Sequence, residues 1–373
     1  MEQTNSNKDI NYIEENMYDS FYFFKKVSLM DKCNFFDYMG MMLEGGVTIG
    51  EALNSVSNKI KNQFFLSKIN ELKMYISSGD SFSKSMKKIP MIFSTSEIAI
   101  VESGETTGDL PSTFLKLSED LKKIHNLHLK IKGALTYPLI IFLFLIAAVL
   151  IVLTYVIPAI LPVFETSGVE LPFATVLLVG VSNFIRNNAI SLIIFMIIII
   201  IGLKFYKNTY KGKIVISSFI LNFPIVGNIY RNYLLSVFAS NLGTLISSGI
   251  PIINSLRLTS KSINNVEYEK LILDIADKVS KGSKITEAMQ DSDKNGFYFT
   301  PDFIQLFSVG EKTASIDVVT KKISTQYTIE VDNSLGSLTK WIEPIAILIA
   351  GFFVVWFAFA IFGAILKVTQ TVS

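Results

Sequence analysis

The 373-residue chain is 50% hydrophobic and only 18% charged, too apolar for an ordinary soluble globule. Its 34 basic and 32 acidic residues leave a net charge of +2, so no overall field points to nucleic acid or another polyanion. The lone Cys33 excludes an internal disulfide and a cysteine-based metal cluster, and His125 and His128, the only histidines, leave few ligands for a metal.

Residues 1–31 have neither the basic start nor the apolar core of a signal peptide, and predict an amino-terminal arm that stays attached and cytoplasmic. Its aromatics at Phe21 to Phe24 read either as a docking patch or as part of a disordered leader. From residue 32 to 134 the apolar spacing is helical: Phe35, Met39, Met42 and Leu43 share one face. That helix stops at Gly45-Gly46, as a left-handed cap requires, and the next opens with the capping-box spacing Thr48-x-x-Glu51. Later boundaries are Gly79-Asp80, read as a C-cap glycine joined to an N-cap acceptor, and Ser94-x-x-Glu97.

Residues 136–160 form the first predicted transmembrane helix, since no charge falls between Lys132 and Glu165 and about 20 apolar residues suffice to cross the hydrocarbon core. An external connection, 161–188, leads to a second span at 189–206. Arg186 belongs at the interface in that reading, although a tilted helix starting near Thr175 also fits the pattern. Residues 207–340 predict a second cytoplasmic bundle, 344–366 a third span, and 367–373 an external tail. Lysines 122, 123, 130 and 132 before the first span and 204, 207, 211 and 213 after the second predict that the amino terminus and both bundles are cytoplasmic.

The second bundle repeats the first. The stretch Met39 to Met86 returns as Leu242 to Met289, with Gly46 answered by Gly249 and Gly79 by Gly282, each 203 positions later. Gly104-Glu105 returns as Gly310-Glu311 and Pro138 as Pro344, each 206 positions later. Phe238, Leu242, Leu245 and Ile246 repeat the apolar face, Ser248-Gly249 the stop, Pro251 the next helix start, Gly282-Ser283 the second boundary and Thr300-Pro301 the third. The expected fold is an all-α integral membrane protein with two repeated cytoplasmic helical bundles, about six helices each, and three transmembrane helices. The last helix of each bundle, from Asp109 and from Ser315, either continues into its span or bends at the proline.

No residue pattern supports catalysis. Gly104-Glu105-Thr106-Thr107-Gly108 lacks the Lys-Ser/Thr ending of a phosphate-binding loop. Glu102, Glu105 and Asp109 read as cap or interhelical carboxylates at a helix end. The spans carry no internal Asp or Glu for a proton relay or an intramembrane protease. Glu343 reads as an interfacial helix-start charge, with a coupling role as the other reading. Met39 to Ser57 looks like a helix-turn-helix but lacks a basic second helix, so no nucleic-acid partner is expected. No cofactor or metal is expected.

Taken together, the helix-Gly-x-Pro/Thr pattern at Leu43 to Leu53 and Leu245 to Leu256, the run Gly104 to Leu110 with Gly108, Tyr137-Pro138, Phe164 to Pro172 and Glu343-Pro344 resemble a known family. It is the family of inner-membrane platform proteins of type IV pili and type II secretion, PilC/GspF, and the resemblance covers nearly everything from Phe35 to Leu366. It implies a non-enzymatic scaffold whose bundles engage a hexameric cytoplasmic assembly ATPase. Its spans would receive prepilin or pseudopilin subunits, beside other inner-membrane assembly proteins and membrane lipid, in a homo-oligomer of two or more copies. One departure is Ala314, which stands where the first copy has Gly108 and predicts an altered turn. A transporter component, which two repeats and three spans do not disqualify, and a membrane-tethered signalling adaptor, which shares the topology, stay as alternatives.

Overall fold

The computed structural model describes residues 27–89, 92–165, 172–263 and 265–372. The aromatic patch at Phe21 to Phe24 and most of the Phe164 to Pro172 stretch lie outside them. The described residues are all-helical. Helices α1 Leu29–Glu44, α2 Ile49–Ser57, α3 Gln63–Ser77, α4 Phe82–Lys87, α5 Thr95–Thr107 and α6 Leu110–Ile151 come first. A π-helical turn, Val152–Val156, leads into α7 Ile157–Glu165, and α8 Phe173–Asn208 and α9 Tyr210–Asn222 follow. The remainder is α10 Val226–Ser247, α11 Ile252–Ser262, α12 Val266–Ser280, α13 Ile285–Ser292, α14 Pro301–Lys312 and α15 Ile316–Val372.

Helix starts follow local chemistry. Ser28, Thr48 and Ser94 each close a capping box, with Asp31, Glu51 and Glu97, and Thr300 caps α14 with Pro301 in its first turn. Gly46, Gly79, Gly249 and Gly282 take φ of 81°, 96°, 81° and 99°, where a side chain would be strained. Gly108 ends α5 at φ 73°, and Ala314 takes the same left-handed region at φ 51°. The turn expected to change at Ala314 is therefore kept. Ser315 N donates to Gly310 O at 2.9 Å just as Asp109 N donates to Gly104 O at 2.8 Å. The alanine bears a strain that Gly108 avoids.

The chain divides into two compact units. The described residues of 27–127, 235–263 and 268–325 make the first. Within it Phe35, Phe36, Phe65, Phe82 and Phe114 are buried in one ring cluster, with Phe82 and Phe114 centroids 5.0 Å apart. Phe238, Phe299, Phe303 and Phe307 build another, with Phe299 and Phe303 at 5.5 Å. Each buried ring contributes about 1.5–3 kcal/mol. The two sets of helices pack on each other in this unit: Leu245 of α10 enters the first cluster, and Ser103 on α5 donates to Ser248 O. Lys32 on α1 meets Glu97 on α5 at 2.6 Å, both side chains nearly buried, while Glu97 also accepts from Ser94 N.

The second unit holds the described residues of 128–234, 265–267 and 326–372. Leu110–Pro162, Phe173–Lys207 and Ile316–Gly363 are long and apolar enough to cross a membrane. The second of these, α8, consists of two helical stretches that meet at a kink at Asn188 (φ −114°, ψ 16°), where Asn188 donates to Phe184 O at 3.0 Å. In the π turn of the first, Ile157 N–H goes to Val152 O, and the next residue, Pro158, has no N–H to offer Leu153 O. Buried Ser182 of α8 donates to that carbonyl instead, and Thr175 donates to Ala360 O at 2.6 Å. In lipid an orphan carbonyl is costly, so these hydroxyls tie the helices around Leu153, Ile157, Leu178 and Ala360.

Two outcomes follow from this packing. Lys32→Met leaves Glu97 buried without its partner and should lower unfolding stability by about 3 kcal/mol, read as a shift in thermal unfolding of the detergent-solubilised chain. Ser182→Ala should cost about 1 kcal/mol by the same assay. A neutral Lys32→Met would contradict the stabilising role given to this ion pair.

Candidate functional site

The motif residues converge at two junctions in the first unit. Gly104 on α5 faces α6 so closely that a Cβ there would lie 2.2 Å from Thr113 Oγ1. One residue on, Glu105 turns the other way and accepts from Phe82 N at 2.6 Å, Ser83 N at 3.2 Å and Ser83 Oγ at 2.6 Å, satisfying the start of α4. Gly310 on α14 repeats the first feature, with a Cβ 2.9 Å from that of Val319 on α15. Glu311 repeats the second by accepting from Ile285 N, Thr286 N and Thr286 Oγ1 at the start of α13. Each Gly-Glu pair thus seats a long helix with its first residue and caps a short helix with its second.

The carboxylate caps correct the expected boundaries. Asp80 and Ser283 do not cap α4 and α13; the N-cap positions are Ser81 and Lys284, one residue later. Lys284 provides no capping side chain, and the acceptor comes from Glu311, 26 residues from Ile285. Asp80 instead pairs with Lys88 at 2.6 Å. The carboxylates at the end of α5 go to separate partners: Glu102 to Lys87 at 2.8 Å, Glu105 to α4, and Asp109 to Ser112 N at 3.3 Å. No three His, Cys, Asp or Glu side chains among the described residues are placed to hold a metal ion.

Gly46 and Gly249 sit at the left-handed turns after α1 and α10, with Pro251 as the N-cap residue of α11. The Ser248-Gly249 turn meets α5 through Ser103, one residue before the Gly104 contact. Tyr137, Pro138, Glu343 and Pro344 belong to the second unit. Both prolines lie inside continuous helices, α6 and α15. The helix-start reading of Glu343 fails for that reason, because no helix amino terminus exists there for its charge to meet.

A polar cavity of about 310 Å³ opens between α6, α10 and α15, lined by Lys116, Asp120, Lys123, Thr244, Asp317 and Lys321 among others. Thr244 donates to Asp120, and Lys123 reaches Glu119 at 2.8 Å and Asp120 at 3.5 Å. Burial pushes the Asp120 carboxyl up, against the opposing pull of Thr244 and Lys123. For Glu105 burial also pushes upward, but the Ser83 hydroxyl and the Phe82 and Ser83 N–H groups together hold it below its ordinary value of 4.5. Sequence reading missed Asp120, whose hydrogen-bond donor Thr244 lies 124 residues along the chain.

Glu105→Ala should destabilise the chain by about 1–2 kcal/mol, with Glu105→Gln milder because its carbonyl still accepts. The folded carboxyl being depressed, this contribution is complete above the unfolded value and is lost as pH falls through the folded one. Thermal unfolding between pH 7 and 3 should therefore show the gap between Glu105→Gln and the parent narrowing as pH falls, while Glu105→Ala stays less stable because a protonated Glu105 still accepts through its carbonyl. Asp120 has the opposite sign. Asp120→Asn should raise the melting temperature at pH 7, and the gain should vanish as acid protonates the parent; a loss at pH 7 would contradict the burial argument.

The family description "Type II secretion system (T2SS), protein F" matches the chain twice, at residues 35–158 and 238–364. Type IV pilus assembly protein PilC of Thermus thermophilus is 28% identical over 345 residues, 92% of this chain and 84% of the relative. PilC of Pseudomonas aeruginosa is also 28% identical, over 88% of this chain and 87% of its own length. Type II secretion system protein F of the same organism is 25% identical over 90% and 82%. The doubled match spans most of the chain, from α1 to α15, and the chain belongs to the type II secretion system protein F family, PilC/GspF.

Proposed function

We propose that this chain is a non-enzymatic inner-membrane platform for assembling a type IV pilus or a type II secretion pseudopilus. It couples a hexameric cytoplasmic ATPase to the entry of pilin subunits into the filament. The observation that carries this reading is the doubled family match, each copy of which spans a Gly-Glu junction and a long helix that runs on into an apolar segment. Names of the relatives support the assembly role.

In this reading the chain arose by duplication of one unit, a six-helix bundle ending in a span, with α8 as the extra span that returns the second bundle to the cytoplasm. Lysines flanking the spans favour cytoplasmic bundles and an external carboxyl terminus. Helices α6 and α15 are the transmitting parts, because each joins bundle residues to an apolar run without a break in the helix. A load applied by the ATPase to the bundles would reach the spans through them, and pilin subunits held beside the spans would be lifted. Assembly from two or more copies suits a platform beneath a symmetric ATPase.

Deleting the gene should abolish surface filaments or pseudopilus-dependent secretion, and full-length chain supplied in trans should restore them. The affinity-purified full-length chain should carry the assembly ATPase with it. Normal filaments and secretion after deletion would overturn the platform reading. Transport of a solute into vesicles containing only this protein would favour a transporter instead.

A further inference from the structure

Helix α9 lies between the second span and α10, within the stretch 207–340 read from sequence as the second cytoplasmic bundle, yet it belongs to the unit that holds the spans. Its 13 residues rise about 20 Å, too little to cross a hydrocarbon core of about 30 Å. Val215 and Phe219 are 53% and 67% exposed, and Phe223, just past the helix end, is 49% exposed. They form one ridge, with the Phe219 and Phe223 rings 5.9 Å apart. Ser217 and Leu221 are buried on the opposite side.

The placement of this ridge is fixed at both ends. A Cβ on Gly212 would lie 1.8 Å from Tyr206 O, so only glycine lets α9 fold back against the end of α8. At the far end Ile225 takes φ 69° and a Cβ on Gly227 would lie 2.1 Å from Leu221 O. The apolar ridge is therefore held next to the end of a membrane span. Lys204, Lys207, Lys211 and Lys213, all exposed, surround the same junction with no acidic residue between 187 and 222 to offset them.

We propose that α9 is an interfacial helix that lies on the anionic lipid surface of the leaflet where α8 ends. Val215, Phe219 and Phe223 enter the acyl boundary while the lysines meet headgroup phosphates. An apolar ridge bordered by lysines is the composition that such a surface selects. Continuity with α8 supplies the location, and the lysine cluster supplies the charge complement to lipid. The sequence pattern hid this helix because its apolar residues resemble those of a bundle helix.

The test uses the full-length chain with Phe219→Cys, or separately Val215→Cys, labelled with an environment-sensitive fluorophore. The native Cys33 thiol is buried and pushed up to about 11, chiefly by that burial, and the unsubstituted chain serves as the labelling control. The protein is placed in nanodiscs of phosphatidylcholine with or without phosphatidylglycerol, carrying spin-labelled lipids with the quencher near the headgroup or deep in the acyl chain. Expected is severalfold stronger quenching by the shallow label than by the deep one at both positions. The shallow signal should also be stronger with phosphatidylglycerol and reduced by Lys211→Glu with Lys213→Glu. Quenching only by aqueous iodide, protection from every quencher by protein, or dominant deep quenching from a re-entrant helix would each overturn the proposal.

Discussion

Close approach of the last helix of each set to the helix before it is the contact on which the rest of this chain depends. Gly104 lets α5 reach α6, and Gly310 lets α14 reach α15, at separations that no side chain would allow. Because the next residue is a glutamate that caps a short helix, the same two positions fix three helices at once. This economy follows from geometry: adjacent residues on a helix point about 100° apart, so one can face the crossing helix while the other reaches aside. Everything that α6 and α15 later do as apolar helices starts from these seats.

Lipid imposes a second condition. Water can satisfy the carbonyls of a soluble bundle, but along α6 and its π turn they need partners within the protein. Ser182 answers the carbonyl that the π register and Pro158 leave free, and Thr175 reaches Ala360 O in the same unit. Ser182 thereby does in the apolar unit what Glu105 and Glu311 do in the polar one. In each case a backbone group stranded by local geometry is met by a side chain from another helix.

Local chemistry was legible in the sequence, and remote chemistry was not. Capping boxes at Thr48 and Ser94 and left-handed glycines at 46, 79, 249 and 282 involve residues within a turn of each other, so spacing revealed them. Glu105 reads from sequence as a cap or interhelical carboxylate, but which helices it and Glu311 cap could not be found from spacing, since their partners lie 22 to 26 residues away. The available signal was Lys284, a residue with no acceptor at a helix start. Ala314 misled because alanine rarely adopts positive φ, whereas the surrounding hydrogen bonds hold it there. The middle apolar helix bends at Asn188, where the backbone leaves helical φ/ψ, a local break that the uncharged apolar run beyond it does not announce.

In the platform role proposed for this chain, α6 and α15 transmit motion because they are continuous, so breaking one of them outside both the junction and the apolar run should stop assembly. Residue 133 is an exposed glycine with open space around it, so replacing residues 132–134 by Gly-Pro-Gly interrupts α6 with little other disturbance. Filaments or secreted substrate should then be counted in cells whose variant chain is still made and still binds the ATPase. Assembly should be lost with binding retained; assembly at the parent level would contradict transmission through an unbroken α6.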